Sequence, residues 1–143
     1  MNQAARNYWD TYWGNHVQPQ SVYAFQFGDE PDKLAELVRS GQKTATCTAE
    51  ITYQKTNQPL PKRDDYGIVL NRLDEPVAII KTTDVFVMRF EDVTEAFALA
   101  EGDGSLEAWR AIHERYFRGE YNRLGISYDP KLKLVCERFI CVG

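Results

Sequence analysis

The sequence predicts an α+β fold, because the spacing of its apolar residues is helical in some segments and alternating in others. Helical spacing is clearest in residues 31–40 and after Ser105, whereas alternation is clearest in residues 45–53 and near the C-terminus. A chain of 143 residues is long enough to bury a core without disulfides or metals, and its length suits one domain. We therefore expect one domain in which helices flank a sheet.

The N-terminal segment, residues 1–20, is distinguished by aromatic side chains at helical spacing, namely Tyr8, Trp9, Tyr12 and Trp13. Because aromatic rings bury large areas, we expect a helix that packs on the main domain, residues 21–143. Stacking on nucleic-acid bases is the alternative role for these rings.

The next segments predict a strand, a helix and a second strand. Residues 21–27 alternate between apolar and aromatic side chains and predict the first strand. Residues 31–40 have the apolar spacing of a short helix. Residues 45–53 alternate again, which predicts a strand with Thr46 on its polar face. Residues 53–65 contain the prolines and polar residues typical of a surface loop.

The second half of the chain predicts further strands and two helices. Residues 66–71 read as a strand, and residues 77–88 as a long strand or a bent pair. Residues 90–100 predict a short helix that leads into a tight, exposed loop at residues 101–104.

Ser105 is a favourable N-cap for the last helix, which carries an apolar stripe. Residues 119–130 predict an irregular stretch. Residues 131–142 then predict a closing strand beside the first one.

The charge balance restricts the kinds of partner. The chain carries 17 Lys and Arg against 21 Asp and Glu, and it has no basic stripe of the kind that binds long nucleic acids. A small nucleoside or a short single-stranded RNA is therefore the expected ligand, and no obligatory protein partner is evident. Without a membrane-length apolar run or a signal-peptide pattern, we expect a cytoplasmic protein.

The cysteines Cys47, Cys136 and Cys141 lack the spacing of metal ligands or of a disulfide framework, so neither is expected. Burial as small apolar groups is their usual role. Cys47 could act as a nucleophile if a histidine approached it, but the sequence does not place His16 or His113.

The junction between the helix of residues 31–40 and the following strand is the candidate functional site. Lys43 and Thr46 lie there, where side chains converge on a cleft more readily than in the middle of an element. The alternative is structural: a lysine after a helix complements the helix dipole, and threonine favours strands.

Several motifs in order along the chain resemble the ASCH domain. They are Phe27-Gly28-Asp29, Gly41-Gln42-Lys43-Thr44-Ala45-Thr46, Pro59-Leu60-Pro61, Glu101-Gly102-Asp103-Gly104-Ser105-Leu106 with Trp109, and Val135-Cys136-Glu137-Arg138-Phe139. The resemblance covers most of the chain. It implies a PUA-like β-barrel of about five to six strands with flanking helices, in a family usually linked to RNA.

The resemblance also implies an activity. Small bacterial ASCH proteins resemble amidohydrolases that remove the acyl group from N4-acetylcytidine with a lysine, a threonine and a glutamate. Carried onto this sequence, these catalytic residues are Lys43, Thr46 and Glu101, and no metal or organic cofactor is needed. The residues expected to bind substrate are Thr44, Thr48, Ser105 and Arg110.

Three functions remain open at this stage. The first is an amidohydrolase acting on N4-acylated cytidine nucleosides. The second is a metal-independent ribonuclease, which a basic surface converging on Lys43 would support. The third is a non-catalytic module that binds RNA or a nucleotide in the same cleft.

Overall fold

One curled sheet of five strands, a half-barrel, forms the centre of the computed structural model, which describes residues 1–143. Five α-helices flank the sheet. In chain order the elements are α1 (Gln3–Trp13), β1 (Tyr23–Gln26), α2 (Pro31–Arg39), β2 (Ala45–Ala49), α3 (Glu50–Thr56), β3 (Tyr66–Leu70), β4 (Pro76–Arg89), a 3₁₀ turn (Phe90–Asp92), α4 (Glu95–Glu101), α5 (Leu106–Arg123) and β5 (Lys133–Cys141). The predicted α+β, PUA-like architecture is confirmed.

The strand order in the sheet is β1-β3-β4-β5-β2, so β1 and β2 form its two edges. β1 runs parallel to β3, and the other pairs are antiparallel. The expectation that the last strand lies beside the first is wrong, because β5 pairs with β4 and β2 instead. β4 is one long strand whose register against β5 shifts between Thr82 and Asp84, and this irregularity helps to bend it.

The strand predicted over residues 45–53 ends at Ala49, where the chain turns directly into α3. Ile51 still packs on the core, but it does so from the first turn of a helix. Asn57 ends α3 in the left-handed region, with a φ of 55°, which asparagine tolerates better than most residues. Alternating apolar residues over so short a stretch therefore did not distinguish a strand from a helix turn.

Two other boundaries also differ from expectation. The stretch expected to be irregular from residue 119 remains helical to Arg123, because Tyr121 is buried in the core and extends the apolar face of α5. Glu101 is the last residue of α4 rather than part of an exposed loop, and Gly102 caps that helix with a φ of 95°.

The core lies on both faces of the sheet. On one side Trp9 of α1 is buried and contacts Tyr66 at the start of β3 edge-to-face, with ring centroids 5.6 Å apart. On the other side Trp109 and Phe117 anchor α5. Of the cysteines, Cys47 and Cys136 are buried in this larger cluster, whereas Cys141 is exposed. No helix of the structure combines the length and the hydropathy that a membrane crossing requires.

Candidate functional site

A cavity of about 990 Å³ is lined by residues from all five strands and from helices α2, α3, α4 and α5. The three residues predicted to be catalytic, Lys43, Thr46 and Glu101, all contribute to its wall. The substrate-binding candidate Thr48 lines it as well. Lys43, Thr46 and Thr48 are close in sequence, and the fold brings Glu101, which is 58 residues from Lys43, to the same wall.

Lys43 is positioned by the short connection between α2 and β2. Gly41 begins this connection with a φ of 84°, a conformation that glycine adopts without strain. The backbone N–H of Lys43 donates to Leu37 O at 2.9 Å, and that of Thr44 donates to Ala100 O at 2.7 Å. The connection is therefore tied to both α2 and α4, which fixes the direction of the lysine side chain.

The Lys43 ammonium is buried, with only 4% of the residue exposed. Its Nζ donates to Ala45 O at 2.8 Å and to Glu101 O at 3.2 Å, and it lies 3.5 Å from Glu101 Oε1. The ring of Phe27 is 5.0 Å away, measured from Nζ to the ring centroid. Because a buried charge is stable only when it is paired and hydrogen-bonded, these contacts are what stabilise the Lys43 ammonium in the interior.

Glu101 is the centre of a hydrogen-bonded cluster. Its Oε2 accepts a hydrogen bond from Trp109 Nε1, lies 3.5 Å from His113 Nε2, and accepts a longer contact from Cys47 Sγ at 3.4 Å. Its Oε1 faces Lys43. Only 2% of Glu101 is exposed, so water cannot replace these partners.

The partners decide the charge of this carboxyl. Burial alone raises the pKa of Glu101, but the hydrogen bond with His113 and the positive charge of Lys43 outweigh that effect. The net result is a pKa below the ordinary value, so Glu101 is ionised at neutral pH.

Cys47 lies in a cluster that contains a histidine, as the nucleophile hypothesis required, but its thiol is in the wrong protonation state for a nucleophile. Burial and the adjacent Glu101 charge raise the pKa of the Cys47 thiol well above its usual range. A protonated thiol is a poor nucleophile, so its hydrogen bond to Glu101 is the better account of its position.

Ligand atoms of Cys47, Glu101 and His113 lie within 4.8 Å of one another, which is a spacing that metal ions can use. The Lys43 ammonium, however, lies 3.5 Å from the same carboxylate. It already supplies the positive charge that a metal would bring. The residues present therefore match a hydrogen-bonded lysine–glutamate pair better than a metal centre.

Thr46 and Thr48 present their side chains to the cavity from β2. Thr46 is directly opposite Glu137 of β5 in the antiparallel register. Residues opposed in this way have Cβ atoms about 5 Å apart on the same face of the sheet. Thr44, in contrast, acts through its backbone, since its carbonyl accepts a hydrogen bond from Phe139 N at 3.0 Å.

Ser105 and Arg110, which were expected to bind substrate, do not line the cavity. The Ser105 hydroxyl caps α5 by accepting a hydrogen bond from Ala108 N at 3.1 Å. Arg110 Nη2 donates to the carbonyls of Glu91 and Val93 at 3.1 and 3.4 Å, and so it fastens α5 to the 3₁₀ turn. The sequence predicted the cap formed by Ser105, whereas it did not reveal the partners of Arg110.

The comparisons with known proteins agree with this architecture. A family model described as the ASCH domain matches residues 23–143. The chain belongs to the ASCH domain family.

Solved structures of two bacterial proteins are similar to this ASCH domain over nearly its whole length. An ASCH domain from Lactobacillus crispatus JV V101 is 28% identical, with a TM-score of 0.92, and the match covers 99% of this chain and 95% of that chain. Protein EF3133 from Enterococcus faecalis V583, of the family model DUF984, is 35% identical, with a TM-score of 0.81 and 97% and 85% coverage.

A more distant similarity extends to an ASCH protein of Zymomonas mobilis, whose structure is that of a serine-to-alanine mutant. It is 12% identical, with a TM-score of 0.51, and the match covers 82% of this chain and 65% of that chain. At this identity the likeness concerns the fold alone. The comparison with curated proteins found no match.

Within this ASCH domain, the sequence analysis assigned no role to Glu137, which lines the cavity. Glu137 is only 8% exposed, and it lies in a strand whose other residues are apolar except for Lys133 and Arg138. Burial raises its pKa to about 7; the negative charge of Asp65 adds to the rise, and a hydrogen bond from Thr82 opposes it. An acidic residue inside an apolar strand was the available signal, and the motif around it was used only to recognise the family.

The wall of the ASCH-domain cavity is aromatic and slightly acidic. Its aromatic side chains are Tyr23, Phe25, Phe27, Tyr53, Tyr66 and Tyr116. Six carboxyl groups line it, from Asp29, Glu30, Asp65, Glu101, Asp103 and Glu137, against four cations, from Lys33, Lys43, Lys62 and Arg115. Such a wall favours a flat, uncharged ring over a string of phosphates.

Proposed function

We propose that this ASCH domain is a metal-independent amidohydrolase that removes the acyl group from N4-acylated cytidine nucleosides. The observation that carries the proposal is the convergence of Lys43, Thr46 and Glu101 on one aromatic-lined cavity. Acyl transfer requires a nucleophile, a second group that accepts and donates the nucleophile's proton, and a third group that positions the second group. Thr46, Lys43 and Glu101 can supply these parts in that order.

The size and charge of the cavity support a nucleoside as substrate. About 990 Å³ is ample for a pyrimidine with its ribose, and the surrounding rings can stack on the base. The excess of carboxyl groups over cations disfavours a phosphorylated ligand. We place the reaction in the cytoplasm as part of the same proposal.

The reacting form of Lys43 is the neutral amine, which the ammonium becomes by releasing one proton to water in the cavity. In the first half of the proposed reaction, the Thr46 hydroxyl oxygen attacks the acyl carbonyl carbon and its proton passes to this amine. The tetrahedral intermediate then collapses as the bond between the acyl carbon and N4 breaks. N4 receives the proton from Lys43, so cytidine leaves as a neutral amine and the acyl group remains on Thr46 as an ester.

In the second half, water attacks the ester carbonyl. Lys43 takes a proton from the water and returns it to the Thr46 oxygen as the ester bond breaks, which releases the carboxylic acid. Glu101 contributes by holding Nζ, from its carboxylate and from its backbone carbonyl. It is therefore a positioning residue for Lys43.

The ribonuclease hypothesis required a basic surface around Lys43. The cavity instead carries more carboxyl groups than cations, so this observation does not support it. Binding of single-stranded RNA without catalysis uses the same aromatic wall, and it is the outcome expected if hydrolysis fails.

The test is to incubate the purified protein with N4-acetylcytidine in the presence of EDTA and to measure cytidine release. We expect release by the wild type and a loss of about 1,000-fold or more in Thr46→Ala and Lys43→Ala, since each removes a reacting group. Thr56→Ala and Lys55→Ala are matched controls on the exposed surface of α3 and should retain full activity.

Two results would contradict the proposed hydrolysis at Thr46. One is the absence of cytidine release by a folded wild-type protein. The other is full activity in Thr46→Ala, because hydrolysis without that hydroxyl requires a different nucleophile. Release that depends on metal, lost in EDTA and restored by a divalent cation, would contradict the metal-independent mechanism.

A further inference from the structure

Glu137 has no part in the reaction above, although it is buried in the same wall as Thr46. The two residues are opposed in the register of β2 and β5, so their Cβ atoms are about 5 Å apart and point to the same face. Glu137 therefore lies beside the atom that attacks the substrate. Any group bonded to the acylated nitrogen of the substrate must pass close to it.

The surroundings of Glu137 lack a cation that would hold it ionised. From β4 the Thr82 hydroxyl donates to its Oε1 at 3.5 Å. The carboxylate of Asp65, in the loop before β3, also lies near Glu137. It is already paired with Lys62, with Nζ and Oδ1 2.8 Å apart. Arg138, the next residue, stacks over Phe97 in the larger core cluster instead.

The other titratable groups near Glu137 are hydroxyls of the aromatic wall and the thiol of Cys136, the preceding residue on β5. Burial raises the pKa of Tyr23 on β1 and of Tyr53 on α3, and the negative charge of Glu137 raises both further. Burial likewise raises the pKa of Cys136 to about 12. These groups are neutral at physiological pH, so nothing around Glu137 compensates a negative charge on it.

A neutral carboxyl has both a donor and an acceptor on one edge, at the spacing of an amide. Cytosine presents the complement: N3 is an acceptor, and the N–H on N4 is a donor that N4-acylation leaves in place. N3 and N4 are bonded to the same ring carbon, C4. A residue next to the nucleophile that attacks the N4-acyl group is thus next to this edge of the base.

We propose that Glu137, in its protonated form, binds the base of the substrate by donating its O–H to N3 and accepting the N4–H. This inference rests on the proposed function for its choice of ligand. It makes Glu137 a specificity-determining residue, and it gives the cavity a preference for pyrimidines that carry an N3 acceptor beside an exocyclic N–H.

Substitution by glutamine separates this role from others. A glutamine side chain cannot ionise, but its NH₂ donates and its carbonyl accepts in the same arrangement as the protonated carboxyl. Glu137→Gln should therefore preserve the pairing, whereas Glu137→Leu should abolish it. A carboxylate acting as a base would instead be lost equally in both variants.

The experiment measures cytidine binding by calorimetry in the Thr46→Ala background, so that no turnover occurs. At about pH 6 we expect Glu137→Leu to bind cytidine about 10- to 100-fold more weakly and Glu137→Gln to remain within about threefold of the parent. With 3-deazacytidine, in which C–H replaces N3, the three proteins should bind with similarly low affinity. Glu107→Gln, a surface carboxyl outside the cavity, is the matched control and should change nothing.

The pH dependence of cytidine binding gives a second readout, which would not change if Glu137 had a purely structural role. Binding by the parent should weaken about tenfold per pH unit as the pH rises above the pKa of about 7, because the proton must be restored before pairing. Glu137→Gln should show no such decline. Thermal unfolding of each variant checks that its binding is measured on folded protein.

Three binding results would overturn the inference: Glu137→Gln binding as weakly as Glu137→Leu, 3-deazacytidine binding the parent as tightly as cytidine does, or a folded parent that binds no cytidine. The expected binding pattern without hydrolysis of N4-acetylcytidine by the wild type would support the pairing and contradict only the proposed reaction. Hydrolysis of N4-acetylcytidine by Glu137→Leu as efficient as by the wild type would support the proposed reaction and contradict the pairing.

Discussion

Glu101 and Glu137 are both buried carboxyl-bearing residues in the wall of one cavity, yet their pKa values move in opposite directions. Burial raises the pKa of both. At Glu101 the contacts with His113, Lys43 and Trp109 reverse that effect, whereas at Glu137 a single threonine hydroxyl opposes it.

The comparison shows that partners, and not depth, decide the charge of a buried acid in this fold. It also divides the cavity into two regions. The region around Lys43 and Glu101 contains fixed, paired charges suited to moving protons during acyl transfer. The region around Glu137 contains a carboxyl that is easily kept neutral and suited to hydrogen bonding with an uncharged base.

Neutralising Glu101 should have the larger effect on stability. Glu101→Gln removes the partner of a buried ammonium, and an unpaired buried charge typically costs about 3 kcal/mol or more. We expect a decrease of about that size in the free energy of unfolding at neutral pH, measured by denaturant titration. Because the pKa of Glu101 is lowered, its ionised form stabilises the wild type above the ordinary pKa of a glutamate, and that contribution is lost as the pH falls.

A double variant tests whether the unpaired ammonium of Lys43 causes the loss of stability. Adding Lys43→Met to Glu101→Gln removes the stranded charge and should recover part of the lost stability. An unchanged stability in Glu101→Gln would show that the Lys43–Glu101 pair is not needed to hold the cavity together.

Neutralising Glu137 should have a smaller effect of the opposite sign. Its folded-state pKa of about 7 is above the ordinary value of 4.5, so ionising it in the folded protein costs free energy. Glu137→Gln should raise the free energy of unfolding by up to about 3 kcal/mol above pH 7, when compared with the wild type by denaturant titration. The difference should shrink as the pH falls from about 7 and vanish below about 4.5.

A stability difference that grows as the pH falls would contradict this expectation, because it would mean that folding lowers the pKa of Glu137. In that case the two carboxyls would behave alike, and the division of the cavity into two regions would fail.

The sequence predicted the fold best where local patterns and long-range packing agree. The alternation of Tyr23, Phe25 and Phe27 and the helical spacing of α5 describe faces that the structure buries or turns to the cavity. Agreement failed at α3, where apolar residues at alternating positions suit one helical turn as well as a strand.

The candidate site was predictable only in part. The junction that holds Lys43 and Thr46 is local in sequence, and the glycine that shapes it is visible there. The environment of Glu101 is not, because its partners lie on α5 and on the connection before β2, which are far apart in the chain. For the same reason the flanking glycines suggested an exposed loop, and Glu137 gained its importance only when β5 was placed beside β2.

The most direct test of the contrast between the two carboxyls is an NMR titration of protein labelled with ¹³C at the glutamate side-chain carboxyl. Glu101→Gln and Glu137→Gln assign the two signals. We predict that the Glu137 carboxyl titrates near pH 7 and that Glu101 stays ionised down to below the ordinary range for glutamate. A Glu137 signal that titrates at the ordinary value, or a Glu101 signal that titrates above it, would contradict the account.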